Sequence, residues 1–166
     1  MAEDIYISPE ASKGDRYQEV QRYINALTED EKSPLANIGN TLALLHHAFK
    51  FLWTGCYIVQ GTELVLGPFQ GPVACTRISY GQGVCGVAWK EARPILVPDV
   101  EAFPGHIACS SASRSEIVLP LWNAKKDIIG VLDIDSEFLG TFDETDLRSL
   151  EPIGLLLGNW VSQLSC

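Results

Sequence analysis

The chain has 166 residues, of which 46% are hydrophobic and 20% are charged, and its formal net charge is −9 at pH 7. This composition predicts one soluble globular domain over residues 1–166 and argues against a disordered chain. The acidic balance excludes nucleic acid as the expected partner, because phosphates would be repelled and no basic stripe compensates.

The N-terminal sequence MAEDIYISPE lacks the basic and apolar regions of a secretory signal. No apolar run approaches the roughly 20 residues that a membrane span needs. We therefore expect a cytoplasmic protein with no membrane partner, and a flexible N-terminal segment over residues 1–14. Five cysteines in a reducing compartment argue against a framework of static disulfides.

Two helices are predicted in the N-terminal third of the chain. Apolar residues recur at helical spacing within 15–27. Ser33 and Pro34 then provide an N-cap and a first-turn proline for a second helix, which we expect to end near Phe51.

Period-two patterns then predict two hairpins, one from strands 53–60 and 63–66 and the other from strands 116–122 and 127–135. Each pair of strands flanks a short turn. Both patterns are typical of antiparallel pairing.

Between the hairpins, a short helix is predicted at 87–91, a short strand at 94–98 and a long loop at 99–114. An amphipathic helix over 143–163 completes the chain. The order predicts an α+β domain, in which helices cover one face of an antiparallel sheet and the loop-rich middle covers the other. A loop as long as 99–114 is unusual in a compact domain unless it is functional or disordered.

The loop-rich middle contains Cys75, Cys85 and Cys109, and none of them forms a Cys-x-x-Cys pair. We therefore predict no metal and no cofactor. Dithiol chemistry fits better, because one thiolate can attack an electrophile and a second thiol can then close a disulfide. His106 or Arg114 could lower the pKa of the Cys109 thiol, but an inert buried thiol explains the local sequence equally well.

Acidic residues on two predicted strands share one face of the sheet. Alternation in VLDIDS places Asp133 and Asp135 on one face and the aliphatic residues on the other, and Glu116 shares a face with Val118. A single acid at a strand end usually faces water. Three acids beside a cysteine-bearing loop favour a site that holds an ammonium group and keeps one carboxyl protonated as a proton donor.

Five motifs follow one another along the chain: GPFQGPVACTRI, GQGVCG, LVPDVEAFPGHIAC, SEIVLP and GVLDIDS. In that order the chain resembles the free methionine-(R)-sulfoxide reductases, stand-alone enzymes built on a GAF domain. The resemblance implies a central antiparallel sheet of about six strands, with N- and C-terminal helices on one face and a loop-covered ligand pocket on the other. It also implies reduction of free L-methionine (R)-S-oxide to L-methionine, with thioredoxin as the reductant. The long terminal helices also suit a homodimer.

The resemblance gives each cysteine of the loop-rich middle a role. Cys109 matches the attacking cysteine, and Cys75 matches the thiol that closes a disulfide with it. Cys85 matches a third family cysteine, and its assignment as nucleophile or resolving thiol is the alternative. Ser110 departs from the family pattern, since many relatives have aspartate there.

The resemblance also implies the substrate-binding residues. Glu116, Asp133 and Asp135 match acids that bind the substrate and help to protonate the sulfoxide oxygen, and Trp53 matches an aromatic wall suited to the substrate methyl. Two other functions stay open on the sequence, namely a GAF sensor that binds a small ligand and a cysteine redox sensor without turnover. A ligand sensor has no need of the three-cysteine pattern, whereas only a turnover assay separates the redox sensor from the enzyme.

Overall fold

The computed structural model describes residues 5–107 and 109–164. Its helices α1 to α4 span, in order, Lys13–Thr28, Pro34–Phe49, Gly83–Glu91 and Glu144–Val161. Its strands β1 to β6 span, in order, Trp53–Gln60, Glu63–Gln70, Arg77–Ser79, Ile95–Val97, Ser115–Trp122 and Ile128–Ser136.

The strands form one antiparallel sheet in the order β3-β2-β1-β6-β5-β4. Strands β1–β2 and β5–β6 are the two predicted hairpins, and β1 pairs with β6 at the centre of the sheet. This arrangement confirms the predicted α+β class and the antiparallel sheet of six strands.

The helices on one face begin where the sequence supplies N-caps. Ser12 accepts a hydrogen bond from a backbone N–H of the first turn of α1, and Ser33 does the same for α2, with Pro34 in the first turn. Asp143 and Asp146 form a reciprocal capping box at the start of α4. These caps satisfy N–H groups that would otherwise lack a partner.

Helices α1, α2 and α4 pack on one face of the sheet around a large aliphatic core. Val20, Ile38 and Leu157 meet Leu132 and Ile134 of β6 there, and each of these side chains is fully buried. Burying one such side chain contributes about 1.5–3 kcal/mol. The alternation predicted for β6 is therefore confirmed, and its acidic residues lie on the opposite face.

The opposite face of the sheet carries a smaller core, covered by α3 and the connecting loops. Val118 of β5 and Val131 of β6 are buried there beside Val84 of α3. On the helical face, Ile5 and Ile7 of the N-terminal segment are partly buried against the large core, while residues 1–4 lie outside the described residues. In the described ranges, no helix has both the length and the apolar character to span a bilayer.

Two boundaries differ from prediction by four residues, and glycine is involved in both. Strand β2 continues to Gln70 because Gly67 and Pro68 face the single residue Cys56, in a bulge that absorbs them. Helix α3 begins at Gly83, four residues earlier than predicted, so the expected loop position of Cys85 was wrong. Because Gly86 has no side chain, α3 can lie close to the backbone of Ser79. A Cβ on Gly86 would lie 2.5 Å from the Ser79 carbonyl oxygen.

Candidate active site

A cavity of about 520 Å³, counted with the space open to solvent at its mouth, lies on the loop-covered face of the sheet. Strands β1, β5 and β6 form its floor. Helix α3 and five residues of the long loop form its walls, and these five are His106, Ile107, Cys109, Ser110 and Ser113. The structure brings six of the seven predicted site residues to its lining: Trp53, Cys85, Cys109, Glu116, Asp133 and Asp135.

The seventh predicted residue, Cys75, is bonded to the cavity wall. A disulfide joins Cys75 to Cys109 across 34 residues of sequence, with their Cα atoms 5.3 Å apart. The bond ties the segment after β2 to the long loop before β5. Among the described residues, Cys56 and Cys85 are free thiols, and Cys56 belongs to the helical-face core.

Two aromatic residues of β1 hold the segment that contains Cys75. The Tyr57 hydroxyl donates a hydrogen bond to the Cys75 carbonyl at 3.0 Å, and the Trp53 Nε1 donates to the Pro72 carbonyl at 3.1 Å. The sequence reasoning missed Tyr57. Its signal was present, since period-two alternation places Tyr57 on the same face as Trp53.

Trp53 takes its position because Gly55 has no side chain. A Cβ on Gly55 would lie 2.4 Å from the Trp53 ring and 2.5 Å from the Phe69 Cβ. The indole stacks on Phe69 at 5.3 Å and on Tyr57 at 5.8 Å, measured between ring centroids. One side of the cavity is therefore a rigid aromatic wall.

The three acids meet because of strand register. Glu116 of β5 lies directly opposite Asp135 of β6, and Asp133 follows two residues further inward on the same face. Glu116 and Asp133 are only 6% and 7% exposed and share a side-chain hydrogen bond. Burial, followed by the nearby carboxylates, raises the pKa of both groups well above the usual range, which favours the protonated form of the pair.

Of the three acids, Asp135 has the pKa closest to the usual range. Burial raises its pKa to about 6, while a hydrogen bond from the Ser113 hydroxyl opposes that rise. Ser113 belongs to the long loop and was not among the predicted site residues. No sequence signal distinguishes it from its serine neighbours.

Cys85 lies below the disulfide as a buried thiol. Burial first, and then Asp133, raises the pKa of Cys85 well above its ordinary value, so the thiol is protonated and hydrogen bonds to Asp133. The Cys85 Sγ and one carboxyl oxygen each of Glu116 and Asp133 lie within 4.8 Å of one another. Their mutual hydrogen bonds account for this cluster, and the absence of a metal stays a prediction.

His106 closes the cavity on the side of the long loop. Its Nε2 lies 3.7 Å from the Glu116 Oε2, and its side chain is 15% exposed. Burial lowers the pKa of His106, so the ring is neutral near neutral pH. The sequence reasoning had placed this histidine outside the set of reacting residues.

One buried polar atom of the cavity lining has no partner within the described residues. The Asp133 Oδ1 accepts no hydrogen bond there, although a buried carboxyl oxygen normally has a donor. A ligand N–H group in the cavity would supply one. The arrangement thus combines a disulfide-bonded cysteine pair, buried carboxyls whose pKa is raised and a free acceptor for a cationic or N–H-bearing ligand.

A family model described as GAF domain matches residues 40–161. The free methionine-R-sulfoxide reductase of Escherichia coli is 47% identical over 143 residues, which cover 86% of this chain and 86% of that protein. The chain belongs to the free methionine-R-sulfoxide reductase family. The resemblance found in the motifs and the expected GAF fold are therefore confirmed.

Two further proteins are similar to this chain over nearly all of its length. The enzyme of Neisseria meningitidis, whose X-ray structure contains its substrate, is 48% identical and superimposes with a TM-score of 0.90, covering 95% of each chain. The GAF domain-containing protein A of Dictyostelium discoideum is 52% identical over 160 residues, which cover 96% of this chain and 100% of that protein.

Proposed function

We propose that this protein reduces free L-methionine (R)-S-oxide to L-methionine through a Cys109 sulfenic acid and a Cys75–Cys109 disulfide that thioredoxin reduces. One observation carries the proposal. The disulfide lies at the wall of a cavity whose floor holds a buried carboxyl pair with a raised pKa. The reductases of Escherichia coli and Neisseria meningitidis support the same reaction.

The cavity offers a partner to each end of the substrate. Asp133, with its unpaired buried oxygen, accepts hydrogen bonds from the substrate ammonium together with Asp135. The Trp53 indole packs against the methyl group of the sulfoxide. A free amino acid meets these requirements, whereas a residue within a polypeptide has no ammonium group to offer.

The first chemical step needs both a proton and a thiolate. A sulfoxide becomes a good electrophile when its oxygen is protonated or hydrogen bonded, and Glu116 supplies that proton. The Cys109 thiolate attacks the sulfoxide sulfur, and the hydroxyl passes to the cysteine sulfur. Methionine sulfoxide, the thiolate and one proton thus give methionine and the Cys109 sulfenic acid, with two electrons moving from cysteine to the substrate.

The second step regenerates a reducible centre. The Cys75 thiol attacks the Cys109 sulfenic acid, which forms the disulfide and releases water. Thioredoxin then transfers two electrons and two protons by thiol–disulfide exchange. We place this cycle in the cytoplasm, where such a reductant keeps thiols reduced.

The decisive experiment is a stereospecific assay coupled to thioredoxin oxidation. Purified protein is given free methionine R-sulfoxide, free methionine S-sulfoxide or an R-sulfoxide within a peptide. We expect turnover with the free R form alone. Disulfide formation without turnover would instead support a redox sensor, and ligand binding without either would support a GAF sensor.

A further inference from the structure

His106 contacts the buried carboxyl of Glu116, and we propose that it relays protons from solvent to Glu116 between turnovers. The proposal rests on the proposed reductase function and extends it. Glu116 and Asp133 are only 6% and 7% exposed, so their direct access to bulk water is small. His106 has one edge in solvent and its Nε2 3.7 Å from the Glu116 Oε2.

The proton balance of the reaction creates the need for a relay. In each cycle Glu116 gives one proton to the sulfoxide oxygen, and that proton leaves in water. The matching proton is the one that Cys109 releases to solvent when its thiol ionises for the next attack. Glu116 must therefore recover a proton from solvent before each new turnover, although its own carboxyl is buried.

The geometry allows His106 to do this in two transfers. The distance of 3.7 Å exceeds a hydrogen bond, so a small ring rotation or one bridging water completes the contact. While Glu116 is protonated, the buried ring stays neutral. Once Glu116 is ionised, its charge favours the imidazolium, which then returns a proton from Nε2 to the carboxylate.

Other groups in the cavity do not replace His106. The titratable groups that share the cavity with it are Glu116 on β5, Asp133 and Asp135 on β6, Cys85 on α3, Tyr57 on β1 and Cys109 on the loop. Burial raises the pKa of Tyr57 and Cys85, which opposes proton release from either. Asp135 points its carboxyl to Ser113, and Asp133 shares the burial of Glu116.

The test compares first and later turnovers in His106→Ala. Enzyme reduced and equilibrated beforehand starts with Glu116 protonated, so the first methionine should form within about threefold of the wild-type rate. Later turnovers should slow by about 10²-fold, the lower end of the usual contribution of positioned proton transfer. Added imidazole should restore steady turnover in a saturable way. His106→Gln keeps a polar side chain that cannot carry a proton, and it should show the same loss.

His47→Ala is the matched control, because His47 is an exposed histidine on α2. It should match wild type in both phases and should not respond to imidazole. The relay is overturned if the first and later turnovers of His106→Gln slow equally, or if imidazole restores nothing in His106→Ala. Failure of the wild-type protein to make methionine in the first turnover would instead refute the proposed function.

Discussion

The Tyr57 hydroxyl donates a hydrogen bond to the Cys75 carbonyl, so the central strand of the sheet holds the cysteine that is bonded to Cys109. Tyr57 is 1% exposed and its ring stacks on Trp53. The wall of the cavity and one end of the disulfide are therefore fixed by the same side chain.

We expect Tyr57→Phe to slow disulfide closure more than methionine formation. The change removes one hydrogen bond, worth about 1 kcal/mol, and frees the Cys75 segment to move. The lifetime of the sulfenic acid, measured with a trapping reagent, should rise severalfold. Tyr23→Phe removes a hydroxyl bonded to the exposed Tyr6 carbonyl and should not alter that lifetime. Equal lifetimes in wild type and Tyr57→Phe would show that the hydrogen bond has no such role.

Cys75→Ser and Cys85→Ser should separate the two candidate resolving thiols. Without Cys75, one methionine should form per protein and Cys109 should remain as a sulfenic acid that thioredoxin recycles poorly. Without Cys85, which is a buried protonated thiol, the Cys75–Cys109 disulfide should still form. Mass spectrometry after one turnover measures both species. Full recycling in Cys75→Ser would transfer the resolving role to Cys85.

Glu116→Gln should lower the rate of methionine formation by about 10²- to 10⁴-fold, the usual contribution of a positioned proton donor. The amide keeps the shape of the side chain but cannot give a proton to the sulfoxide oxygen. Rapid-quench measurement of the first turnover checks this directly. Glu63→Gln, at an exposed ion pair with Arg77, provides the matched control and should leave the rate unchanged. A wild-type rate in Glu116→Gln would remove Glu116 from the reaction.

The free energy of unfolding should fall as pH rises from about 4 to about 6, partly because the pKa of Asp135 is raised in the folded protein. Its pKa is raised from 3.8 to about 6 in the folded protein. In this interval the folded state holds a proton that the unfolded state has lost, so rising pH favours unfolding. The shift corresponds to roughly 3 kcal/mol as an upper value. Urea denaturation of Asp135→Asn across this range should show a shallower decline than wild type; an identical decline would contradict the assignment.

Gly55→Ala should disturb the aromatic wall, because the new methyl would overlap the Trp53 ring. We expect a loss of about 1–3 kcal/mol in the free energy of unfolding and a raised KM for the sulfoxide. Gly39→Ala, in α2 where a methyl meets nothing within 4 Å, should instead stabilise the protein slightly. Calorimetry and steady-state kinetics measure these effects. An unchanged KM in Gly55→Ala would indicate that Trp53 does not contact the substrate.

The sequence predicted those parts of the fold that depend on local pattern. Helical spacing gave α1, α2 and α4, and alternation gave both hairpins and the shared face of the acids. It could not give the pairing of β1 with β6, because no local pattern specifies which strands of separate hairpins meet. The ends of β2 and α3 were also predicted wrongly near Gly67 and Gly86. Neither glycine ends its element; each lets a neighbouring backbone segment approach closely.

The site was predictable only in part for a similar reason. The alternation of each strand predicted that Glu116, Asp133 and Asp135 share one face of the sheet. The pairing of Cys75 with Cys109, in contrast, was predicted from the family resemblance. Contacts between distant loops and strands depend on the folded path of the chain. The hydrogen bonds from Tyr57 and Ser113 are of this kind.

The position of the acids on β5 and β6 also affects how the chain folds. A slip of one residue in either strand would turn its acids toward the aliphatic core between the sheet and α1, α2 and α4. Burying an unpaired carboxyl in hydrocarbon costs several kcal/mol, so such misregistered sheets are strongly disfavoured. The same carboxyls that reduce the stability of the native state therefore favour the native register of β5 and β6 over slipped registers.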